Sequence, residues 1–354
     1  MKILWLLKVG LAVTAVSYIL LLSSPRFGAF VRQEIRTGMS MGSTTRLRDR
    51  NVMLVPHLQT LSSPLRELVQ KSEDPAVPLV QRISAGQKLA ELGDPRIQIF
   101  EPQMIEIPGQ KVKIGLPAEQ LQSTFERLRD AGVELSWIRK EVPQHEVTIA
   151  PFRAAKFKVT NSEYLDFIKN TGERELPSSW EGGCYPKDRA NHPVYTVTIE
   201  AVERYFFWLN QKTHRRFRLM TEDEWEYAAS GGKEIEYPWG DEFDPNNANT
   251  KEAGLDQSSP VGVFVTGNSP FGLADMAGNV EEFVSNDYYP YPGGADVQDL
   301  FGDNEKTYRM TRGGAFNKRR DFARCKRRHG WYPEHAIGFR LAESVDDEAT
   351  ASSL

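Results

Sequence analysis

Cysteine is scarce in this chain: two among 354 residues, Cys184 and Cys325. That is too few for a disulfide scaffold or a cysteine-built zinc site. Two readings of the pair stand, one bridge or two small buried side chains. A large charge of one sign is also missing, since 44 Lys and Arg against 48 Asp and Glu leave a net charge of -4. A general nucleic-acid binder is therefore not expected. The sequence has no GxSxG elbow, no P-loop and no HExxH, which removes the common signatures of serine hydrolysis, nucleotide phosphate binding and zinc proteolysis.

Long apolar runs are nearly absent as well. The exception is Ile3 to Leu22, interrupted by Lys8, which is long enough to cross a hydrocarbon core of about 30 Å as a helix. Lys2 and Lys8 favour a cytoplasmic start, so the remainder is expected outside the cytoplasm, in a bacterial periplasm, held to the inner membrane by residues 1–24. The alternative is a cleaved signal peptide and a soluble periplasmic body. Residues 25–95 read as a tether with short helices, one near Leu65 to Gln70 and one from Leu79 to Leu92 that stops at Gly93-Asp94-Pro95. The second helix could dock on the body or bind a partner. Residues 346–354 read as a disordered acidic tail.

Between these ends, 40% hydrophobic and 26% charged residues suffice for a sizeable core. Met104 to Gly109 followed by Val112 to Gly115 reads as a hairpin. Pro117 to Lys140 reads as a charged helical insertion before a strand at His145 to Ile149. Thr160 with Glu163 and Thr221 with Glu224 are spaced as capping boxes, opening helices at Asn161 to Asn170 and around Trp225 to Ala228. A helix from Ile199 to Gln211 places Val202, Tyr205, Phe206 and Leu209 on one face. Ser269 to Tyr289 mixes glycine, short carboxylates and aromatics, the composition of an anchored loop framework with a short strand at Val280 to Val284.

Within that framework, Gly272-Leu273-Ala274-Asp275-Met276-Ala277-Gly278-Asn279-Val280-Glu281-Glu282-Phe283 resembles the GLYDMxGNVWEW signature of the formylglycine-generating enzyme (sulfatase-modifying factor) family. Three other stretches agree in order: Lys158-Val159-Thr160-Asn161 with Tyr164 and Phe167; Arg218 to Glu222 through Trp225 to Ala229; and Arg312-Gly313-Gly314-Ala315-Phe316 closing at Gly338-Phe339-Arg340. The resemblance implies an α+β, C-type-lectin-like, loop-rich fold over residues 96–345. It also implies copper held by a cysteine pair in active members. Lys318 and Ala323 stand at those positions and neither can hold copper(I), which needs soft thiolates. Another branch uses histidine-bound iron, yet the six histidines, His57, His145, His192, His214, His329 and His335, show no HxxxHxE grouping.

The resemblance further matches Asn249 and the carbonyl of Thr250 to a calcium site. The loop Asp241 to Pro260 is oxygen-rich and suits that ion, but it reads equally as a solvated Asn-rich turn. A second calcium loop at Ser269 to Gly278 departs from the family in having Ser269 where Asn is usual. Beyond it runs a basic stretch, Arg312, Lys318, Arg319, Arg320, Arg324, Lys326, Arg327 and Arg328, followed by His329. Arg324 and Arg340 are expected to pair with Glu281, Glu282 or Asp287 on solvated strand faces, leaving Lys318, Arg319 and Arg320 for a protein or peptide partner. The expected function is a non-catalytic, exported, membrane-anchored binding or regulatory module, linked to secretion of the type VI kind or to kinase signalling. The rival is a periplasmic oxidoreductase-like maturation enzyme acting on a peptide through a residual groove of Glu282, Asp287, Arg324 and His329.

Overall fold

A computed structural model describes residues 64–297, 308–330 and 335–345. The apolar run Ile3 to Leu22, most of the stretch read as a tether and the tail 346–354 lie outside the described residues. Among the described residues, no helix is long and apolar enough to cross a membrane.

Proline opens both leading helices, α1 (Leu65–Glu73) and α2 (Leu79–Leu92), since a fixed φ suits the start of a helix and a missing N–H is harmless there. They pack through Leu68, Ala85 and Leu89. They also dock on the body: Ile83 joins Leu255, Val263 and Phe264, and Arg96 ties Asp94 at 2.6 Å to Glu73 at 3.3 Å. Gly86 is required at this junction, because a Cβ there would stand 2.7 Å from Pro260 Cβ. Its carbonyl accepts the Asn191 amide at 2.9 Å. The helix at Leu79 to Leu92 thus docks.

Strands β1 (Met104–Ile107) and β2 (Gln110–Ile114) do not form the expected hairpin with each other. Instead β1 pairs with β4 (Phe152–Ala155), and β2 pairs with β3 (His145–Ile149). Local alternation identifies the strands but carries no information about a partner some forty residues away. Between β2 and β3 the insertion folds as α3 (Leu121–Leu128) and α4 (Leu135–Arg139) over Leu116, Leu128, Val133 and Ile138.

The capping boxes form as their spacing dictates. Thr160 N–H donates to Glu163 at 2.7 Å and opens α5 (Asn161–Thr171), which ends at left-handed Gly172. Thr221 and Glu224 open α7 (Glu222–Ser230) in the same way. Between them α6 (Ile199–Thr213) turns Val202, Tyr205, Phe206 and Leu209 into an aromatic core with Tyr164, Phe167 and Phe339. After β5 (Phe217–Arg218), β6 (Glu281–Asp287) forms the centre of a sheet ordered β8-β7-β6-β9, with β7 at Arg309–Arg312, β8 at His329–Gly330 and β9 at Ile337–Gly338. The closing strand β10 (Ala342–Ser344) lies between β4 and β5.

The loop before β6 is clamped to the Asn-rich loop. Gly278 lies so close to Asn249 that a Cβ would meet its carbonyl at 2.5 Å. Asn279 N–H donates to that same carbonyl at 2.8 Å, while its side chain bonds both main-chain groups of Ser259 at 3.1 Å. The Gly-Asn step is therefore a backbone clamp, which aims β6 at the site described next.

Candidate functional site

The basic stretch is buried rather than solvated. Arg312 donates to Glu222 at 3.2 Å and to Glu226, both on α7. Arg328 also reaches Glu222, at 2.8 Å, and its guanidinium lies 3.9 Å from the Tyr291 ring centroid. Arg324 does not pair with Glu281, Glu282 or Asp287 as expected; it donates twice to Glu141, at 2.8 and 2.9 Å, and once to Glu236. Arg340 does bond Glu282, at 2.7 Å, but inside the protein. A fully buried guanidinium needs a carboxylate at hand, and the ones delivered are Glu222 and Glu226 of α7, Glu141 directly after the insertion, Glu236 and Glu282.

Lys318, Arg319 and Arg320 are half-buried, not the free rim that the sequence led us to expect. Arg320 pairs with Asp130 of the insertion, whose carbonyl also accepts from Arg319 at 3.3 Å. Lys318 turns inward, its Nζ 3.1 Å from His335 Nε2 and 5.3 Å from the Phe322 ring centroid.

What Lys318 faces is a compact group of Glu281, His329 and His335. Glu281 begins β6 and His329 begins β8, while β7 between them supplies Thr311. One oxygen of Glu281, Oε2, accepts from Thr311 Oγ1 at 2.8 Å and from His329 Nδ1 at 2.9 Å. Its other oxygen is buried with no hydrogen-bond partner. The rings of His329 and His335 stack with centroids 5.1 Å apart, and Phe322 meets His329 edge-on at 4.8 Å. Burial opposes ionisation of Glu281, but the two imidazoles and Lys318 around it hold its carboxyl well below the usual carboxylate range. Burial lowers both histidines, His335 to about 3. At neutral pH the group is thus a carboxylate accepting from one neutral imidazole, with a second beside it.

The four residues of the expected residual groove are not brought together. Glu282 is sealed between Arg340 and Lys158, Asp287 pairs with Arg309 at 3.3 Å, Arg324 lies between Glu141 and Glu236, and His329 alone belongs to the cluster. Sequence reasoning passed over Glu281 and His335 as partners of His329. A signal was available: Glu281 occupies the tryptophan position of the GNVWEW signature, a carboxylate where a large apolar ring is usual.

At the first calcium position, Asn249 Oδ1 is buried without a hydrogen-bond partner, while Nδ2 is held by Gln257 O at 3.0 Å and Ser259 Oγ at 3.1 Å. The Thr250 carbonyl accepts Ala253 N–H at 3.0 Å and keeps a second lone pair. These oxygens fit a hard cation. The second loop does not. Lys158 Nζ already donates there to the carbonyls of Gly278, at 3.1 Å, and Val280, with Glu282 at 3.4 Å and Asp275 also acting on its charge. The two cysteines are unpaired, Cys184 exposed and Cys325 buried, so the buried reading holds for Cys325 alone. Ala323, at the other copper-ligand position, is fully buried.

A family profile described as the sulfatase-modifying factor enzyme 1-like domain matches residues 91–345. The chain belongs to this family. Among sulfatase-modifying factor relatives, the inactive C-alpha-formylglycine-generating enzyme 2 of Mus musculus is 29% identical over 72% of this chain and 91% of its own. The serine/threonine-protein kinase Pkn1 of Chlamydia trachomatis serovar L2 is 32% identical over 58% of this chain, and that match takes up 35% of the kinase. This chain therefore spans about a third of the length of that kinase. The solved structure of PvdO from Pseudomonas aeruginosa aligns with a TM-score of 0.54 and 28% identity, over 70% of this chain and 95% of that one. The mixed helix and sheet architecture is thus that of the sulfatase-modifying factor fold, and the family includes an inactive member.

Proposed function

We propose that this protein is a non-catalytic, exported, membrane-anchored binding module that holds a protein or peptide partner in the groove where active relatives hold their substrate. One observation carries the reading: the copper-ligand positions are Lys318 and Ala323, and the sole thiol nearby, Cys325, is buried with its pKa pushed far up by burial. Neither copper(I) nor a reactive thiolate fits there. The likeness to an inactive relative supports it, and the likeness to a kinase supports a regulatory setting such as kinase-controlled secretion. Residues 3–22 anchor the protein to the inner membrane with the body in the periplasm. Calcium at Asn249 and Thr250 acts as a structural ion.

The test is site-specific photo-crosslinking from exposed Asn317 in the full chain in native membranes. A discrete crosslinked partner is expected, lost in an Arg319→Glu, Arg320→Glu double variant whose melting temperature stays within a few degrees of the parent, because half-exposed pairs contribute at most about 1 kcal/mol each. Unchanged crosslinking in the double variant, with loss on deleting residues 26–63, would move recognition to the tether and overturn the reading.

A further inference from the structure

We infer that Glu281, His329 and His335 form a binding site for one divalent first-row transition-metal ion, independent of the partner-binding reading. Two imidazoles and one carboxylate offer ligand atoms that all lie within 4.8 Å of one another. That donor set is the one that binds iron(II), cobalt(II) or zinc(II) while leaving coordination positions open. The spacing fits. Ligands about 2.1 Å from an ion stand about 3.0 to 3.4 Å from each other, and His329 Nδ1 already stands 2.9 Å from Glu281 Oε2. His335 alone has to close in, and it is half-buried.

A second observation points to a ligand independently of the spacing. Glu281 is fully buried, and its Oε1 has no hydrogen-bond partner although carboxylate desolvation is expensive. Core packing alone does not account for it, because a strand start inside a sheet is filled at less expense by an apolar side chain. An ion chelated by both oxygens of Glu281, with the His329 proton carried on Nε2 so that Nδ1 offers its lone pair, satisfies that oxygen. Thr311 Oγ1 on Oε2 then acts as the outer hydrogen bond that fixes carboxylate direction, as surrounding groups do at built metal sites.

Lys318 is the competitor. Its Nζ, 3.1 Å from His335 Nε2, engages one of the two nitrogens of that ring and places a like charge beside any bound ion. The lysine therefore weakens the site, and removing its charge strengthens it.

The experiment uses the full chain, stripped with chelator and titrated with cobalt(II), reading visible d–d absorption and metal per chain after gel filtration. One equivalent is expected. His335→Ala should weaken binding at least tenfold, Glu281→Gln likewise, and Lys318→Met should tighten it several-fold; His214→Asn, at an exposed histidine outside the cluster, should leave it unchanged. His335→Ala decides alone if Glu281→Gln does not fold, since His335 is not a core residue. The inference is overturned if neither the parent nor Lys318→Met retains cobalt, or if His335→Ala retains it as tightly as the parent.

Discussion

Replacing Lys158 by methionine keeps the length and most of the packing of the side chain but removes its charge from a pocket that retains Glu282, Asp275 and the carbonyls of Gly278 and Val280. Glu282 still has Arg340 at 2.7 Å, and Asp275 still accepts Gly262 N–H at 2.8 Å. The loss therefore falls mainly on Asp275 and the two carbonyls. Each buried carbonyl left without its donor costs about 1–3 kcal/mol, so the two together cost roughly 2–6 kcal/mol, and at about 2–4 °C per kcal/mol for a body of this size the melting temperature should fall by roughly 4 to 24 °C. Shortening to alanine leaves the same oxygens around an open space, which suits a hard cation. Calcium at a hundred times its dissociation constant would restore about 2.7 kcal/mol. Thermal unfolding of the full chain, followed by circular dichroism with calcium and with chelator, reads both effects. The calcium gain must be larger in Lys158→Ala than in the parent, so that stabilisation at Asn249 is subtracted. A Lys158→Met variant that melts within 2 °C of the parent (roughly 1 kcal/mol) would refute the reasoning, because the cage would then need no cation.

Calcium should also raise the melting temperature of the parent, and Asn249→Ala should shrink that gain, since Asn249 Oδ1 is the orphaned oxygen; identical melts with calcium and chelator would remove the site. Of the two thiols, Cys184 should react with a maleimide in the native state and Cys325 only after unfolding; rapid labelling of both would contradict the packing. His192 is buried, its ring 3.0 Å from Ser258 Oγ, and burial, aided by Arg189, lowers its pKa to about 3. Between about pH 3 and 6.5 the unfolded chain binds a proton there that the folded chain does not, so stability is present above that window and is lost as pH falls through it. Urea titrations across pH 6.5 to 4 should therefore show a shallower acid loss in His192→Gln, by up to about 1.4 kcal/mol per pH unit; parallel curves would mean that His192 is protonated in the native state.

Features set by a few neighbouring residues could be read from the sequence. Thr160 with Glu163 and Thr221 with Glu224 specify helix starts because all the bonds lie within one turn. The family fold was legible for a related reason, since the Gly278-Asn279 step is a backbone clamp that few other residues can form. Pairings between distant segments were not legible. Nothing local to β1 and β2 names β4 and β3 as partners, and Arg324 bonds Glu141 across 183 residues, so its partner could not be chosen from the nearer acids of β6. The candidate metal cluster lies between these cases: the basic run ends on His329 and points to it, while Glu281 reads as one more acid for an arginine, although a charge in a signature tryptophan position is itself a local anomaly.

The grip of the insertion on the basic stretch bears on how this protein can be recombined with its relatives. Asp130 holds Arg320, the Lys140 carbonyl accepts from Arg328 at 2.9 Å, Glu141 holds Arg324, and the Trp137 ring lies 5.2 Å from the Arg327 guanidinium. Residues 117–141 and 318–328 are therefore coupled, and Glu222 and Glu236 must be present wherever they are moved. A chimera that takes the basic stretch without the insertion deprives the buried Arg324 of Glu141, leaving it Glu236 alone, and takes the Lys140 carbonyl from Arg328, which keeps Glu222; losing one partner of a buried pair costs up to about 3–5 kcal/mol, and moving both segments together avoids that loss.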